Sequence, residues 1–325
     1  MLEAQRQLDE PSAALAGAGV GRAIRRAFLA TRPAFFVAAV LPVMVGTAWA
    51  GAAFHRFNGL LFGLALLATV LAHAAANVYN DVGDDVIGAD PGNDDRIYPY
   101  TGGSRFIQSG LLSRRQMGRL AAGLAVAAVL LGGVLALLRG PGVILFGIAG
   151  LGLGLLYSLP GLQLSARGLG ELAVGTAFGV LPALGAVWLQ TGRIDAGAVL
   201  LSLPVGAWAT AILVINEVPD IEPDRRAGKR TLVVRWGGAG ARLLYRGLSL
   251  VALGACVGAI FWQALPRWYV LPALVLAVLG FKAAAGISTE PAGRARLKRS
   301  IELTLAVHAM GGIALILGIL LGPAG

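Results

Sequence analysis

Nine apolar segments of about 20 residues recur along this chain, and they limit its fold more than any other feature. They cover roughly residues 34–51, 58–79, 117–138, 142–158, 171–190, 197–217, 243–262, 267–287 and 301–321. A helix of about 20 apolar residues is long enough to cross the hydrocarbon core of a bilayer. The pattern therefore predicts an all-α, polytopic membrane protein with nine transmembrane helices.

The composition supports this class and excludes others. Charged residues make up 14% of the chain and hydrophobic residues 57%, whereas a soluble globular protein carries about 25% charged residues. The high hydrophobic content also excludes an intrinsically disordered chain. The single cysteine, Cys256, excludes an intrachain disulfide and a cysteine-based metal site. We expect no nucleic-acid partner, because no basic domain lies outside the apolar segments.

The basic residues predict the orientation in the membrane. The chain has 27 Lys and Arg residues. When the N-terminus is placed in the cytoplasm, all but four of them fall on the cytoplasmic side; the exceptions are Arg56, Arg139, Arg193 and Arg267. This distribution fits the positive-inside rule for nine crossings. We therefore expect a protein of the inner (cytoplasmic) membrane with a cytoplasmic N-terminus and a C-terminus outside. Residues 1–30 are predicted as a cytoplasmic tail, and residues 31–325 as one transmembrane domain.

Two long connections, at about 80–116 and 216–242, lie on the predicted cytoplasmic side and hold ten of the 17 acidic residues. Each connection carries the pattern Asn-x-x-x-Asp-x-x-x-Asp at the end of an apolar segment. The first motif consists of Asn77, Asp81 and Asp85, with Asp84 on the same helical face, and the second of Asn216, Asp220 and Asp224. Positions i, i+4 and i+8 share a helical face, so each motif directs an amide and two or three carboxylates the same way.

Carboxylates held this closely repel one another unless protons, basic groups or a metal ion relieve the repulsion. Magnesium prefers oxygen ligands and usually takes one or two carboxylates together with substrate phosphates. Basic residues next to glycines follow both motifs, as phosphate oxygens require; these are Arg105, Arg225, Lys229 and Arg230. The pattern predicts a diphosphate held through Mg²⁺ between two acidic motifs. We expect Asp94 and Asp95, in a Pro/Gly-rich loop, to be solvated.

These motifs resemble those of the UbiA superfamily of intramembrane aromatic prenyltransferases. The runs from Asn80 to Asp90 (NDVGDDVIGAD) and from Asp220 to Gly237 (DIEPDRRAGKRTLVVRWG) look most like the 1,4-dihydroxy-2-naphthoate prenyltransferases of menaquinone synthesis. The resemblance covers the chain from about Thr31 to Gly322. It implies a helical bundle around a central cavity, with a cytoplasmic cap made of the two loops.

The resemblance also implies the chemistry. Mg²⁺ would be held by Asn77, Asp81 and Asp84 or Asp85 on one side and by Asn216, Asp220 and Asp224 on the other, while Lys229 and nearby arginines bind the diphosphate. The enzyme would transfer the prenyl group of a polyprenyl diphosphate to an aromatic acceptor, and it would do so while surrounded by membrane lipid. For the naphthoate branch the ring carboxylate leaves as CO₂, and the product is demethylmenaquinol.

Alternatives remain at this point. In other branches of the superfamily the acceptor is 4-hydroxybenzoate, a chlorophyllide-like ring or a glycerol-phosphate lipid, and each of these is an alternative for this chain. A cation-coupled transporter is disfavoured because transporter sites tend to lie near the bilayer midplane. This chain departs from the naphthoate branch at Glu217 and Pro219, where Asn and Arg are usual. Proline disfavours helix at the preceding residue, so we expect the sixth segment to break beside the site.

Three further residues have two interpretations each. Tyr157 is either an interfacial anchor or, by the resemblance, a ring that stabilises a developing cation. Glu171 is either a partner of its own helix dipole or a contact of the aromatic substrate. Arg32 is expected to reach the lipid headgroups. His73, one turn before Asn77, receives no role.

Overall fold

The computed structural model describes residues 15–90, 96–97, 99–159 and 161–322, and these residues contain helices and loops but no strand. The all-α fold class is thus confirmed, while Asp94 and Asp95 lie outside the described residues. The helices are α1 (Val20–Ala30), α2 (Val37–Phe54), α3 (Gly59–Ile87), α4 (Arg114–Arg139), α5 (Gly142–Ser158), α6 (Gly170–Thr191), α7 (Ala196–Asn216), α8 (Ile221–Arg226), α9 (Leu232–Phe261), α10 (Val270–Ala285) and α11 (Arg294–Leu320).

Within these described ranges, eight helices are long and apolar enough to cross a membrane. They are α2, α3, α4, α6, α7, α9, α10 and α11, and they indicate an integral membrane protein. The ninth predicted segment forms α5, which has 17 residues and at 1.5 Å per residue extends for about 26 Å. That length is at the lower limit for a crossing, so nine crossings and the cytoplasmic cap stay predictions.

Polar cap residues set the starts of several spanning helices. The side chain of Asn58 accepts a hydrogen bond from the Leu61 amide at the start of α3. Asp195 does the same for Ala198 in α7 and Thr231 for Val234 in α9. Such caps satisfy amides that have no partner inside the helix. Helix α9 therefore begins at Leu232, before the predicted segment at 243, which shortens the second acidic connection. Its backbone leaves helical geometry at Gly237 (φ 65°, ψ −171°), where the helix kinks.

Helix α3 extends two turns beyond the predicted end at residue 79. It stops at Ile87, where Gly88 adopts a left-handed conformation (φ 81°). Polar residues after position 79 led to the prediction of a loop. In the structure these residues continue the helix, and two of them, Asp81 and Asp84, are buried inside the protein. The whole first motif is thus helical.

Helix α7 ends at Asn216, and a short break separates it from α8. This confirms the break predicted from Pro219. Asn216 therefore belongs to a spanning helix, whereas Glu217 and Asp220 lie in the break. The second motif is for this reason less regular than the first.

Helix α7 is the most deeply buried of the spanning helices, and its side chains Leu201, Val205 and Trp208 belong to the main hydrophobic core. Small residues let α6 approach it closely, as is common between membrane helices. A Cβ atom added at Gly179 would lie 2.2 Å from the Gly206 Cα. Gly179 belongs to a π-helical turn, Thr176–Val180, inside α6.

Candidate active site

A cavity of about 170 Å³ lies at the end of the bundle that carries the acidic motifs. Both motifs contribute to its wall, although they are far apart in the sequence. From the first motif come Asn77 and Asp84, and from the second come Asn216, Asp220 and Asp224. The structure therefore brings the two predicted motifs to one cavity.

Lys229 connects the two motifs inside this cavity. Its Nζ atom lies 3.2 Å from Asp84 Oδ1 and 3.6 Å from Asp224 Oδ2, and all three residues are buried. Gly228, with φ 77°, turns the chain back towards the cavity, and the Lys229 amide donates to the Asp224 carbonyl at 2.8 Å. One ammonium thus neutralises one carboxylate from each motif.

The charges in this cavity are strongly coupled. Burial disfavours the Lys229 ammonium, but the carboxylates of Asp84 and Asp224 hold its pKa well above the usual range. Burial raises the pKa of Asp224 to about 7, although the Lys229 ammonium opposes the rise and the Asp220 carboxylate adds to it. Burial and the Asp84 carboxylate raise the pKa of Asp90 well above its normal value. The cavity therefore carries more acidic groups than its single buried ammonium neutralises, a surplus that favours a cation.

A glycine loop covers the first motif. The Ser104 amide donates to Asp81 Oδ2 at 3.0 Å, and Gly103 (φ 71°) packs so closely that a Cβ there would lie 2.7 Å from Asp90 Oδ2 and 3.1 Å from Asp81 Oδ1. Asp90 lines the cavity, whereas Asp81, buried on the other side of the same Gly103 contact, does not.

The donor atoms fit a magnesium ion shared with a phosphate ligand better than an ion held by the protein alone. No group of three or more His, Cys, Asp or Glu residues within the described parts of the chain is arranged to hold a metal ion. However, Asp81 Oδ1 and Asn216 Oδ1 are buried acceptors without a hydrogen-bond partner. Magnesium usually takes one or two carboxylates and completes its shell with phosphate and water, which this donor set allows.

A second, apolar cavity of about 570 Å³ adjoins the first. It is lined by α3, α4, α5 and α6, mainly through alanine, glycine and branched apolar residues. The two cavities share His73, Ala76, Gly154, Ala177 and Phe178. The resemblance implied a central cavity, and this apolar space arises where small residues on the four helices face one another.

Comparison with known proteins agrees with this architecture. The model of the UbiA prenyltransferase family matches residues 39–308. A 1,4-dihydroxy-2-naphthoate octaprenyltransferase of Mycobacterium tuberculosis is 34% identical and covers 86% of this chain and 92% of its own length. One of the same name from Escherichia coli is 31% identical, with 89% and 93% covered.

This chain belongs to the UbiA prenyltransferase family.

The resemblance seen in the sequence is thereby confirmed, and the chain is a prenyltransferase. Solved UbiA structures share its fold. A UbiA homologue from Aeropyrum pernix superposes with a TM-score of 0.66 at 20% identity, over 87% of this chain and 97% of that one. A homologue from Archaeoglobus fulgidus bound to DMAPP and Mg²⁺ gives 0.59 at 16% identity, over 88% and 97%.

Several predicted site residues of this UbiA prenyltransferase lie outside the polar cavity wall. Asp85 turns to Arg114, whose Nη2 lies 2.5 Å from Asp85 Oδ2. Arg225 is exposed and paired with Glu222. Four others are also absent from the wall. Asp81 is buried and accepts from the Ser104 amide, Arg105 donates to the Asp90 carbonyl, and Glu171 Oε1 accepts from the Leu232 amide at 2.8 Å. The Arg230 side chain is exposed.

The cavity of this family member is also lined by residues that were not predicted from the sequence. Arg32 lines it, donates to the Tyr100 carbonyl at 3.0 Å and lies 4.8 Å from the centre of the Phe35 ring. The expectation that Arg32 extends to lipid headgroups was therefore wrong, because the loop carrying Tyr100 folds over it. Glu217 also lines the cavity, and so does Tyr157, to which the resemblance had already given a possible place in the active site. The only sequence signal for Arg32 was its position beside Pro33, where the first span begins.

Proposed function

We propose that this chain transfers a polyprenyl group from an allylic diphosphate to 1,4-dihydroxy-2-naphthoate, with loss of CO₂ to give demethylmenaquinol. The observation that carries the proposal is the pairing of a polar cavity, lined by both acidic motifs, with an adjoining apolar cavity. A prenyl diphosphate has the same division into a charged head and an apolar tail. The names of the naphthoate octaprenyltransferase relatives support the choice of acceptor.

The diphosphate head belongs in the polar cavity under this proposal. Mg²⁺ would be held there by carboxylate and amide oxygens of both motifs, and when bound it would supply Lewis-acid stabilisation of the leaving diphosphate. The candidate ligands are Asn77, Asp81, Asp84, Asn216, Asp220 and Asp224. We favour Asp84 over Asp85, since Asp85 is paired with Arg114 outside the cavity.

Lys229 has a defined part in this scheme. Its ammonium already lies between the motifs, 3.2 Å from Asp84. When a diphosphate enters, the ammonium binds a phosphate oxygen and leaves the carboxylates to the cation. A single charge on a flexible stem is suited to this exchange of partners. Arg105, Arg225 and Arg230 are weaker candidates, because their guanidinium groups do not line the cavity.

The prenyl tail belongs in the apolar cavity, where it is shielded from water. The donor then loses its diphosphate at C1, and the electron pair of the C–O bond goes to the leaving group. A ring carbon of the acceptor attacks the allylic cation, and the ring regains aromaticity when its bond to the carboxylate breaks, leaves its electron pair in the ring and releases CO₂. The Tyr157 ring in the cavity wall stabilises that cation. The Arg32 guanidinium faces the same cavity and suits the acceptor carboxylate, whereas Glu171 lies just behind the wall.

The location follows the same proposal. We place the protein in the inner (cytoplasmic) membrane, with residues 31–325 as one transmembrane domain and residues 1–30 as a cytoplasmic segment that includes α1. The acidic motifs then face the cytoplasm, where Mg²⁺ is available and into which the released diphosphate can leave.

The test is a product analysis. Membranes containing the protein are incubated with Mg²⁺, prenyl diphosphates of several lengths and a panel of acceptors that includes 1,4-dihydroxy-2-naphthoate and 4-hydroxybenzoate. Mass spectrometry should detect a prenylated naphthalenediol that has lost the mass of CO₂. A product formed from 4-hydroxybenzoate alone would contradict the proposed acceptor.

A further inference from the structure

The His73 side chain is buried in α3 with no hydrogen-bond partner for either nitrogen. It is 5% exposed, and both Nδ1 and Nε2 are enclosed and unpaired. A neutral imidazole carries one donor and one acceptor, and buried polar groups of native proteins are nearly always hydrogen-bonded. An unpaired imidazole in the wall of a cavity is therefore expected to pair with whatever occupies that cavity.

His73 lies at the junction of the two cavities, and aromatic contacts fix its ring there. It is one of the few residues that line both the polar and the apolar cavity. Its ring is held by two phenylalanines: the Phe178 ring centre is 4.5 Å away at an interplanar angle of 64°, and the Phe36 ring centre is 6.1 Å away at 89°. Phe178 comes from the π-helical turn of α6, and such turns are frequent at functional sites.

The junction of the cavities is where the reaction must occur. A donor with its head in one cavity and its tail in the other passes its C1 atom through the residues that both cavities share. The attacking ring carbon has to come within about 3–3.5 Å of C1. An acceptor ring that attacks there would lie beside His73, with its polar substituents within reach of the unpaired imidazole.

We propose that His73 binds a phenolic hydroxyl of the aromatic acceptor and so holds the ring against the allylic carbon. This inference rests on the proposed prenylation of a hydroxylated aromatic ring and names the residue that recognises the hydroxyl. A hydrogen bond at this place fixes the ring without adding charge beside the developing cation. The Phe36 and Phe178 contacts fix the imidazole plane, so the bond has a defined direction.

The first experiment separates acceptor binding from donor binding. His73→Phe keeps a ring of similar size but removes both nitrogens, and it should raise the KM for the acceptor about tenfold while the KM for the prenyl diphosphate stays within about twofold. His73→Gln, which keeps a donor and an acceptor, should recover part of the loss. The control is Ser249→Ala, which removes a buried hydroxyl bonded within α9, remote from both cavities.

The second experiment does not depend on turnover. Binding of 1-hydroxy-2-naphthoate and of 2-naphthoate is measured by calorimetry in EDTA, in detergent, on the wild-type protein and on His73→Phe and His73→Leu. Wild type should prefer the hydroxylated compound about tenfold, and both variants should lose this preference. If one variant does not fold, the other decides.

Each outcome has a consequence. If the variants keep the preference for the hydroxylated compound, or if the KM values for donor and acceptor rise together, the assignment of His73 is wrong although the proposed function stands. If the wild-type protein neither binds nor prenylates any hydroxylated aromatic acid of the panel, the proposed function fails and the inference fails with it.

Discussion

The Lys229 ammonium holds one carboxylate from each acidic motif, so Asp84 and Asp224 already share a cationic partner before any substrate is present. Removing a partner from a buried ion pair leaves an uncompensated charge and is costly. Asp81 differs from Asp84, since one of its oxygens is tied to the Ser104 amide and the other is unpaired. Single substitutions at these residues should thus have distinct effects.

Replacement of Asp81 or Asp220 should abolish turnover. Asp81→Ala and Asp220→Ala each remove one carboxylate of the proposed Mg²⁺–diphosphate site, which needs oxygens from both motifs. Turnover by purified protein is compared with that of Glu222→Ala, which breaks an exposed ion pair outside the cavity. Normal turnover in either aspartate variant would contradict the two-motif site.

Lys229→Ala should lower kcat/KM for the prenyl diphosphate about ten- to a hundredfold, because a charge-assisted hydrogen bond contributes about 1.5–3 kcal/mol. The KM for the acceptor should change much less. Lys282→Ala, at an exposed position in the last turn of α10, is the control for the loss of a surface charge. A donor kcat/KM within twofold of wild type would transfer the role to Arg105 or Arg230.

Among the helices, α6 and α7 determine the shape of the site. Their backbones touch at Gly179 and Gly206, and this contact places the π-helical turn and Phe178 against the junction of the cavities. Helix α7 then ends before Pro219, so the second motif is divided between the end of α7 (Asn216), the break (Asp220) and α8 (Asp224).

Gly179→Ala should destabilise the protein. The added Cβ would meet the Gly206 backbone at 2.2 Å, and overpacking of this kind costs about 1–3 kcal/mol. Gly63→Ala is the matched control, because it adds the same methyl group to α3 where nothing lies within 4 Å. Thermal unfolding in detergent should show a lower midpoint for Gly179→Ala than for Gly63→Ala. Equal midpoints would show that the helices separate without cost.

At the scale of the whole molecule, the arrangement of the helices predicts where the reaction takes place and how the bundle is oriented in the membrane. All polar groups of the site lie at one end of the bundle, and the apolar cavity runs from there between α3, α4, α5 and α6. The reaction site is therefore expected at one membrane face, with the tail of the donor in the bilayer region.

Turnover should require a divalent cation. Excess EDTA should stop prenyl transfer, and added Mg²⁺ should restore it, because the surplus of carboxylates around Lys229 repels a diphosphate that arrives without a cation. The measurement is product formation over a range of free Mg²⁺. Full activity in EDTA would contradict the proposed role of the cation.

The two ends of the bundle should face opposite sides of the membrane. In a Cys256→Ala background, a membrane-impermeant maleimide added to intact cells should label Arg56→Cys but not Glu222→Cys, both at exposed positions. Inside-out vesicles should give the reverse. Labelling of both positions from outside would refute the orientation predicted from the basic residues. The predicted external C-terminus, at residue 325, lies outside the described residues.

Much of the protein could be predicted from the sequence because the decisive signals are local. A run of apolar residues indicates a spanning helix regardless of its neighbours, and the spacing of Asn77, Asp81 and Asp85 is visible without a structure. The limits of α3 were less accurate, since its last two turns are polar and read as loop. These turns are helical because Asp81 and Asp84 are buried against partners from other parts of the chain.

The sequence by itself determined the membrane class, the two acidic motifs and the family. Tertiary structure alone decided that Asp84 faces the cavity while Asp85 faces Arg114, that Lys229 reaches Asp84, and that Arg32 and His73 line the cavity. Each of these facts depends on the direction of a side chain towards a residue far away in the sequence; Lys229 and Asp84 are 145 positions apart. Such contacts depend on how the helices pack, and no local pattern of residue types encodes that packing.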